Sequence, residues 1–178
     1  MHINFEFKAR HDDIDLLERL LLETSRPKFI GEDHQIDTYF HVPNGRLKLR
    51  EGNIEQALIF YQRNDSGSAK QSNVILYKPE GDKALKEILV SSLGAKVVVD
   101  KLRKIYFVDN VKFHFDRVLQ LGTFVEVEAI DADGSIGIET LKAQCAHYER
   151  LFSIREQDHV NGSYSDLLLE KIYSTGGR

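Results

Sequence analysis

The chain has 178 residues, 42% hydrophobic and 29% charged, with a formal net charge of −4. That length and balance suit a single globular domain, residues 1–178, with a real core. The negative balance excludes a bulk attraction to nucleic acid, and no apolar run approaches the roughly 20 residues that span a bilayer. A charged N-terminus argues against a signal peptide, and the single cysteine, Cys145, fits a reducing, cytoplasmic setting.

The first element is "NFEFKAR". Asn4, Glu6, Lys8 and Arg10 alternate strictly with Phe5, Phe7 and Ala9, the period of a half-buried strand. In "HDDIDLLERLLLETS", Ile14, Leu17, Leu20 and Leu21 recur at helical spacing behind Asp12 and Asp13, acids suited to a helix N-terminus. "HQIDTYFHV" and "RLKLREG" flank Asn44-Gly45, a strong hairpin signal. "QALIFYQR" and "SNVILYKPE" read as two more strands, separated by the surface loop "NDSGSAKQSN". "DKALKEILVSSLG" reads as a short helix ended by Gly94. "AKVVVDKLRKIYFVDNVKFHFDRV" predicts two strands turning at Asp109-Asn110, and "TFVEVEAI" another after Gly122. The tail, "IGIETLKAQCAHYERLF" and "SYSDLLLEKIY", reads as helical.

The strands share a pattern. Arg46, Lys48 and Arg50 lie opposite Leu47 and Leu49; Lys101 and Arg103 alternate with Asp100, Leu102 and Lys104. His114 and Asp116 oppose Phe113 and Phe115, and Glu126 and Glu128 oppose Val125 and Val127. The plain interpretation is a sheet with one solvated face. Against it, these positions are arginines, lysines and paired acids rather than Ser, Thr and Asn, and the amphipathic helices need the Phe, Leu and Val faces to cover. About eight mostly antiparallel strands also close into a barrel without edges. The expected fold is therefore α+β: a closed antiparallel eight-stranded β-barrel with helices outside and charges inside.

That interior would hold Lys8, Arg10, Arg46, Lys48, Arg50, Lys101 and Arg103, with Arg63 and Lys78 as further cations. It would also hold Glu6, Asp116, Glu126 and Glu128, with Asp37 as a further acid. Buried cations in excess need anions, because each desolvated charge costs several kcal/mol. Carboxylates beside phosphate-binding cations also supply the oxygen ligands of a hard divalent ion. The ligand implied is a linear polyphosphate or nucleoside triphosphate with Mg2+ or Mn2+.

These residues resemble a known family. "NFEFKAR" is similar to the ExExK signature of the CYTH superfamily, which includes class IV adenylyl cyclases, thiamine triphosphatases and tripolyphosphatases. "DTYF", "GRLKLRE", "KLRKIYFVDNVKFHFDRVLQLGTFVEVEA" and "GSYSDLLL" follow the family pattern in order, and "SYSDLL" looks most like the class IV cyclase branch. The resemblance implies a triphosphate tunnel with Glu6, Asp116, Glu126 and Glu128 on the metal. It places Lys8, Arg46, Lys48, Arg50, Arg63, Lys78, Lys101 and Arg103 on the phosphates, and Glu6, Lys8 and Glu128 at the chemistry. One departure stands out: Asn4 replaces the first Glu, an oxygen ligand without charge.

The activity implied is class IV adenylyl cyclase-like, ATP to cyclic AMP and pyrophosphate. The alternatives are a triphosphatase acting on thiamine triphosphate or tripolyphosphate, a polyphosphate- or nucleotide-binding module without turnover, and a structural barrel with a wet face. No nucleic-acid or membrane partner is expected, and the oligomeric state stays open, a homodimer included. His147, His159 and Cys145 are expected to pack or lie at the surface. His114 and Tyr39 are open between ligand contact and wall.

Overall fold

The computed structural model is described for residues 3–63, 72–79 and 83–175. In chain order the elements are β1 (Ile3–Arg10), α1 (Ile14–Thr24), β2 (Lys28–Phe40), β3 (Arg46–Glu51), β4 (Ala57–Arg63) and β5 (Ser72–Tyr77). There follow α2 (Lys83–Leu93), β6 (Ala95–Val108), β7 (Val111–Val118), β8 (Gly122–Asp131), α3 (Ile138–Leu151), a 3-10 turn (Glu156–Asp158) and α4 (Tyr164–Thr175). The fold is α+β, with an eight-stranded sheet of hydrogen-bonded order β1-β8-β7-β6-β2-β3-β4-β5. That order starts at β1 and ends at β5, so among the described residues strand pairing does not complete the closed barrel expected above. No described helix is long and apolar enough to cross a membrane.

The chain divides into two compact units. The first comprises Met1–Glu32, Arg103–Arg117 and Gly122–Asn161. Here β1 and β8 pair antiparallel, with Phe7 opposite Val127 and Ala9 opposite Val125. Alternation sends these side chains to one face, where they join Phe113, Phe115, Ile14, Leu17, Leu21, Leu141 and Phe152 in a single buried cluster. α1 and α3 supply the helical side of that cluster. Asp13 caps α1 by accepting from the Leu16 amide at 3.0 Å. Cys145 is buried on α3, with its Sγ against the Phe5 carbonyl oxygen at 3.3 Å. Because this face is apolar and covered, the polar rows of β1, β7 and β8 lie on the other.

The second unit comprises Asp33–Leu102, Val118–Leu121 and Gly162–Arg178. It holds the β2-β3-β4-β5 meander, with Asp37 opposite Arg50 and Tyr39 opposite Lys48, then Lys48 opposite Ile59 and Arg46 opposite Tyr61. Gly45 takes φ +67° at the β2–β3 turn, and a Cβ there would lie 2.9 Å from the Tyr61 carbonyl oxygen. The β3–β4 turn is held by buried Asp33, which accepts from the amides of Ile54 at 2.9 Å and Glu55 at 3.0 Å.

Candidate functional site

In the second unit, the polar row of β3 surrounds one acid. Asp37, only 2% exposed, accepts from Arg50 Nε and NH2, each at 2.8 Å, from Lys48 Nζ at 3.0 Å and from Lys101 Nζ at 2.9 Å. Arg50 NH1 also donates to Glu55 at 2.9 Å. Burial pushes the Asp37 carboxyl upward, but Lys48, Arg50 and Lys101 outweigh it and hold the group well below the usual carboxylate range. Burial lowers the Lys48 ammonium against the pull of Asp37. That ammonium sits 5.4 Å from the Tyr39 ring centroid and 6.0 Å from that of Tyr61. Burial pushes both phenols up to about 12, so both keep their protons as donors. Three cations against the two carboxylates of Asp37 and Glu55 leave one local positive charge that a bound anion would neutralise.

In the first unit, the polar rows carry acids in tight company. Glu6 stands directly opposite Glu128 across the β1–β8 ladder, and Lys8 opposite Glu126. Lys8 Nζ lies 3.3 Å from Glu126. Arg103, from β6, donates twice to fully buried Asp116, at 2.7 and 2.6 Å, and reaches Glu126 at 3.4 Å. Burial raises the Glu126 carboxyl, but the Lys8 and Arg103 cations hold it well below the usual range. Glu128 goes the other way: burial, Glu126 and Glu6 push it up to about 7. Its Oε1 accepts from the Asn4 side-chain amide. His114, 4% exposed, has Nδ1 3.9 Å from Glu126, too far for a hydrogen bond. Burial and Arg103 lower the imidazole to about 4, so it is neutral.

These oxygens suit a hard divalent cation. Like charges directly opposite in a sheet repel, and a cation bound to Glu6 and Glu128 would relieve that repulsion. The buried Asn4 Oδ1 has no hydrogen-bond partner and is a further neutral donor of the type Mg2+ and Mn2+ accept. Among the described residues, three His, Cys, Asp or Glu side chains are nowhere gathered into a finished metal cage. Asp116 and Glu126, expected on the metal, are engaged with Arg103 and Lys8.

The remaining residues sort by position. Arg46 shares the row of Lys48 and Arg50 and donates to Asp166 at 3.0 Å. Lys78 is exposed beyond β5, and the Arg63 side chain lies outside the described residues. Arg10 is exposed and stacks over the Phe124 ring at 4.6 Å. Lys104 points to the other face, donating to Glu18 at 2.7 Å. His147 is exposed; His159 packs on Phe7 and pairs with Glu149 at 3.4 Å. Sequence reasoning missed Tyr61 and Asp166. Alternation in "ALIFYQR" places Tyr61 on the Lys48 face once the register is known, and Ser163 with Asp166 has the spacing of a helix cap.

Comparison with known proteins adds the family. A model described as CYTH domain matches residues 2–163. No curated protein matches. The PH1012 protein of Pyrococcus horikoshii OT3 has a similar structure: 24% identity, TM-score 0.76, with 94% of this chain and 99% of that one covered. A candidate adenylate cyclase of Vibrio parahaemolyticus is 18% identical, at TM-score 0.66 and coverage of 93% and 97%. HpAC1 of Hippeastrum, a candidate adenylyl cyclase reported to have dominant triphosphatase activity, is 12% identical, at TM-score 0.61 and coverage of 99% and 96%. At these identities the likeness is one of fold.

Proposed function

Because the chain belongs to the CYTH domain family, we propose that it is a metal-dependent enzyme acting on a nucleoside or inorganic triphosphate, with ATP cyclisation as its reaction. The supporting observation is the buried grouping of Lys48, Arg50 and Lys101 around Asp37, with Glu55 as the second acid on Arg50. Phosphoryl transfer asks a protein for positioning and charge neutralisation more than for a nucleophile. Lys48, Arg50 and Lys101 in the second unit, and Lys8 and Arg103 in the first, carry the phosphate-binding role. Asp37, Asp116 and Glu126 aim those cations and offset their mutual repulsion. Glu6 and Glu128, with the Asn4 oxygen, would hold Mg2+ or Mn2+. When bound, that ion supplies charge neutralisation and polarisation at phosphate oxygens. In cyclisation the ribose 3′-hydroxyl gives up its proton to water and its oxygen bonds to the α-phosphorus. The bond from that phosphorus to the α,β-bridging oxygen breaks, and pyrophosphate departs with that oxygen.

Hydrolysis is the second reading, and the likeness to HpAC1 supports it. Asn4 brings one charge fewer beside Glu6 and Glu128, which weakens the hold on a cation there and favours a third reading, binding without turnover. The test is a panel of ATP, GTP, thiamine triphosphate and tripolyphosphate, each with Mg2+ and Mn2+, with products identified. Cyclic AMP with pyrophosphate from ATP is expected. Orthophosphate release instead assigns a triphosphatase, and tight binding without turnover assigns a binding module.

A further inference from the structure

We infer that Asp166, at the start of α4, acts as a built-in competitor for Arg46 and so sets how long a phosphate chain the cationic face of the second unit accepts. The inference rests on the polyphosphate reading above. Arg46 continues the row of Lys48 and Arg50, two residues apart along β3 and on the same face. Its partner differs in kind from theirs. Lys48, Arg50 and Lys101 share Asp37, which is sealed from solvent. Arg46 instead meets Asp166 at 3.0 and 3.2 Å, with the two side chains 31% and 32% exposed. A pair that open is screened and weak, and an incoming anion can exchange with it.

Asp166 is nevertheless held in place. Its Oδ2 accepts from the Ser163 amide at 2.9 Å and the Ser163 hydroxyl at 2.7 Å, while its own amide donates back to that hydroxyl at 3.2 Å. The Ser163 and Ser165 hydroxyls, both buried, lie 2.6 Å apart. The acid thus presents a fixed negative charge to Arg46 instead of swinging away. Beside the pair lies an open pocket with a volume of about 70 Å³, lined among others by Tyr39, Arg46, Lys96, Ser165 and Asp166. It offers a second cation, Lys96, and room for one more anionic group. A chain short enough to be satisfied at Lys48, Arg50 and Lys101 never needs Arg46. A longer one must displace Asp166, and that displacement costs affinity.

The experiment is calorimetric titration with pyrophosphate and with tripolyphosphate of the wild type, Asp166→Asn, Ser163→Ala, Arg46→Ala and the Arg46→Ala/Asp166→Asn double variant. Asp166→Asn should bind tripolyphosphate about 2- to 5-fold more tightly, the scale of an exposed ion pair, with pyrophosphate affinity unchanged. The double variant should lose that gain. Ser163→Ala, which loosens the hold on Asp166 but keeps its charge, should show only a fraction of that gain. An equal gain for both anions, a gain that survives in the double variant, or the same gain in Ser163→Ala overturns the inference. If the wild type binds tripolyphosphate and Asp166→Asn matches it, only the inference falls. If neither protein binds either anion, the polyphosphate reading falls and takes the inference with it.

Discussion

Arg103 and Lys104 are neighbours in the chain and opposites in the structure. Arg103 is 5% exposed and doubly bonded to Asp116, which is fully buried. Arg103→Ala leaves that carboxylate with its main cation gone, a change that typically costs about 3–5 kcal/mol. Lys104 is one-third exposed against Glu18, and Lys104→Ala should change stability by about 1 kcal/mol or less. Urea unfolding of the two variants measures both; equal losses would mean that the strand faces are reversed. Asn4 makes a subtler case. Asn4→Glu removes the amide that donates to Glu128 and adds a third acid to a face where Glu6 and Glu128 already stand opposite each other. Without metal it should lower the melting temperature. Mg2+ or Mn2+ should then raise that temperature further than in the wild type, at a lower half-saturating concentration. An unchanged metal response would remove Asn4 from the proposed ion's surroundings.

At the scale of elements, the β2–β3 turn sets which residues face Asp37. Gly45 has φ +67°, and an added Cβ would meet Gln62, Phe60 and the Tyr61 carbonyl oxygen at 2.9 Å. Gly45→Ala therefore combines left-handed strain of about 1 kcal/mol with a backbone clash. It should destabilise by about 2 kcal/mol or more and weaken tripolyphosphate binding as Lys48 and Arg50 lose register, whereas Asn44→Ala should be milder. Denaturation and titration of both variants test this. The hairpin was legible because Asn-Gly stands between two alternating runs. The pairing ends with Phe40 opposite Leu47, however, and Asn44 is not at positive φ, so the turn is longer than the two-residue type that dipeptide favours. The charged faces were legible for a related reason: a period of two leaves only two parities, and the helices' apolar stripes choose between them. The start of β2 was less so. Phe29 and Ile30 are exposed, 52% and 39%, and Gly31 follows them, so "KFIGED" lacks the burial pattern that marks a strand. Least legible were the partners of the cations. That Asp37 collects Lys48, Arg50 and Lys101, or that Asp166 takes Arg46, depends on register and on residues 64 and 120 positions apart. Periodicity carries no information at that range.

For the molecule as a whole, two displaced titrations oppose each other and predict a stability profile. Glu128 is raised from 4.5 to about 7 by burial, Glu126 and Glu6. Its contribution is fully present below pH 4.5 and is lost as pH rises through 7. At about 1.4 kcal/mol per unit, the loss is on the order of 3 kcal/mol. His114 is lowered from 6.5 to about 4 by burial and Arg103. Its contribution is present above pH 6.5 and is lost as pH falls through 4, by a similar amount. Between pH 4.5 and 6.5 the slopes have opposite sign, so the wild type should be nearly flat there as far as these groups decide. Glu128→Gln unmasks the histidine, and its stability should climb by about 3 kcal/mol across that window and exceed the wild type's at pH 8. His114→Asn should show the reverse, a decline as pH rises toward 7. A divalent cation adds a last asymmetry. It competes with the proton on Glu128, so Mg2+ should stabilise the wild type more at pH 8 than at pH 5, and Glu128→Gln should lose most of that difference. Denaturant midpoints at pH 5, 6.5 and 8, with and without Mg2+, decide the matter. Parallel profiles for wild type and Glu128→Gln would show that Glu128 does not titrate near neutrality. A metal response independent of pH would show that the cation, if it binds, does so away from Glu128.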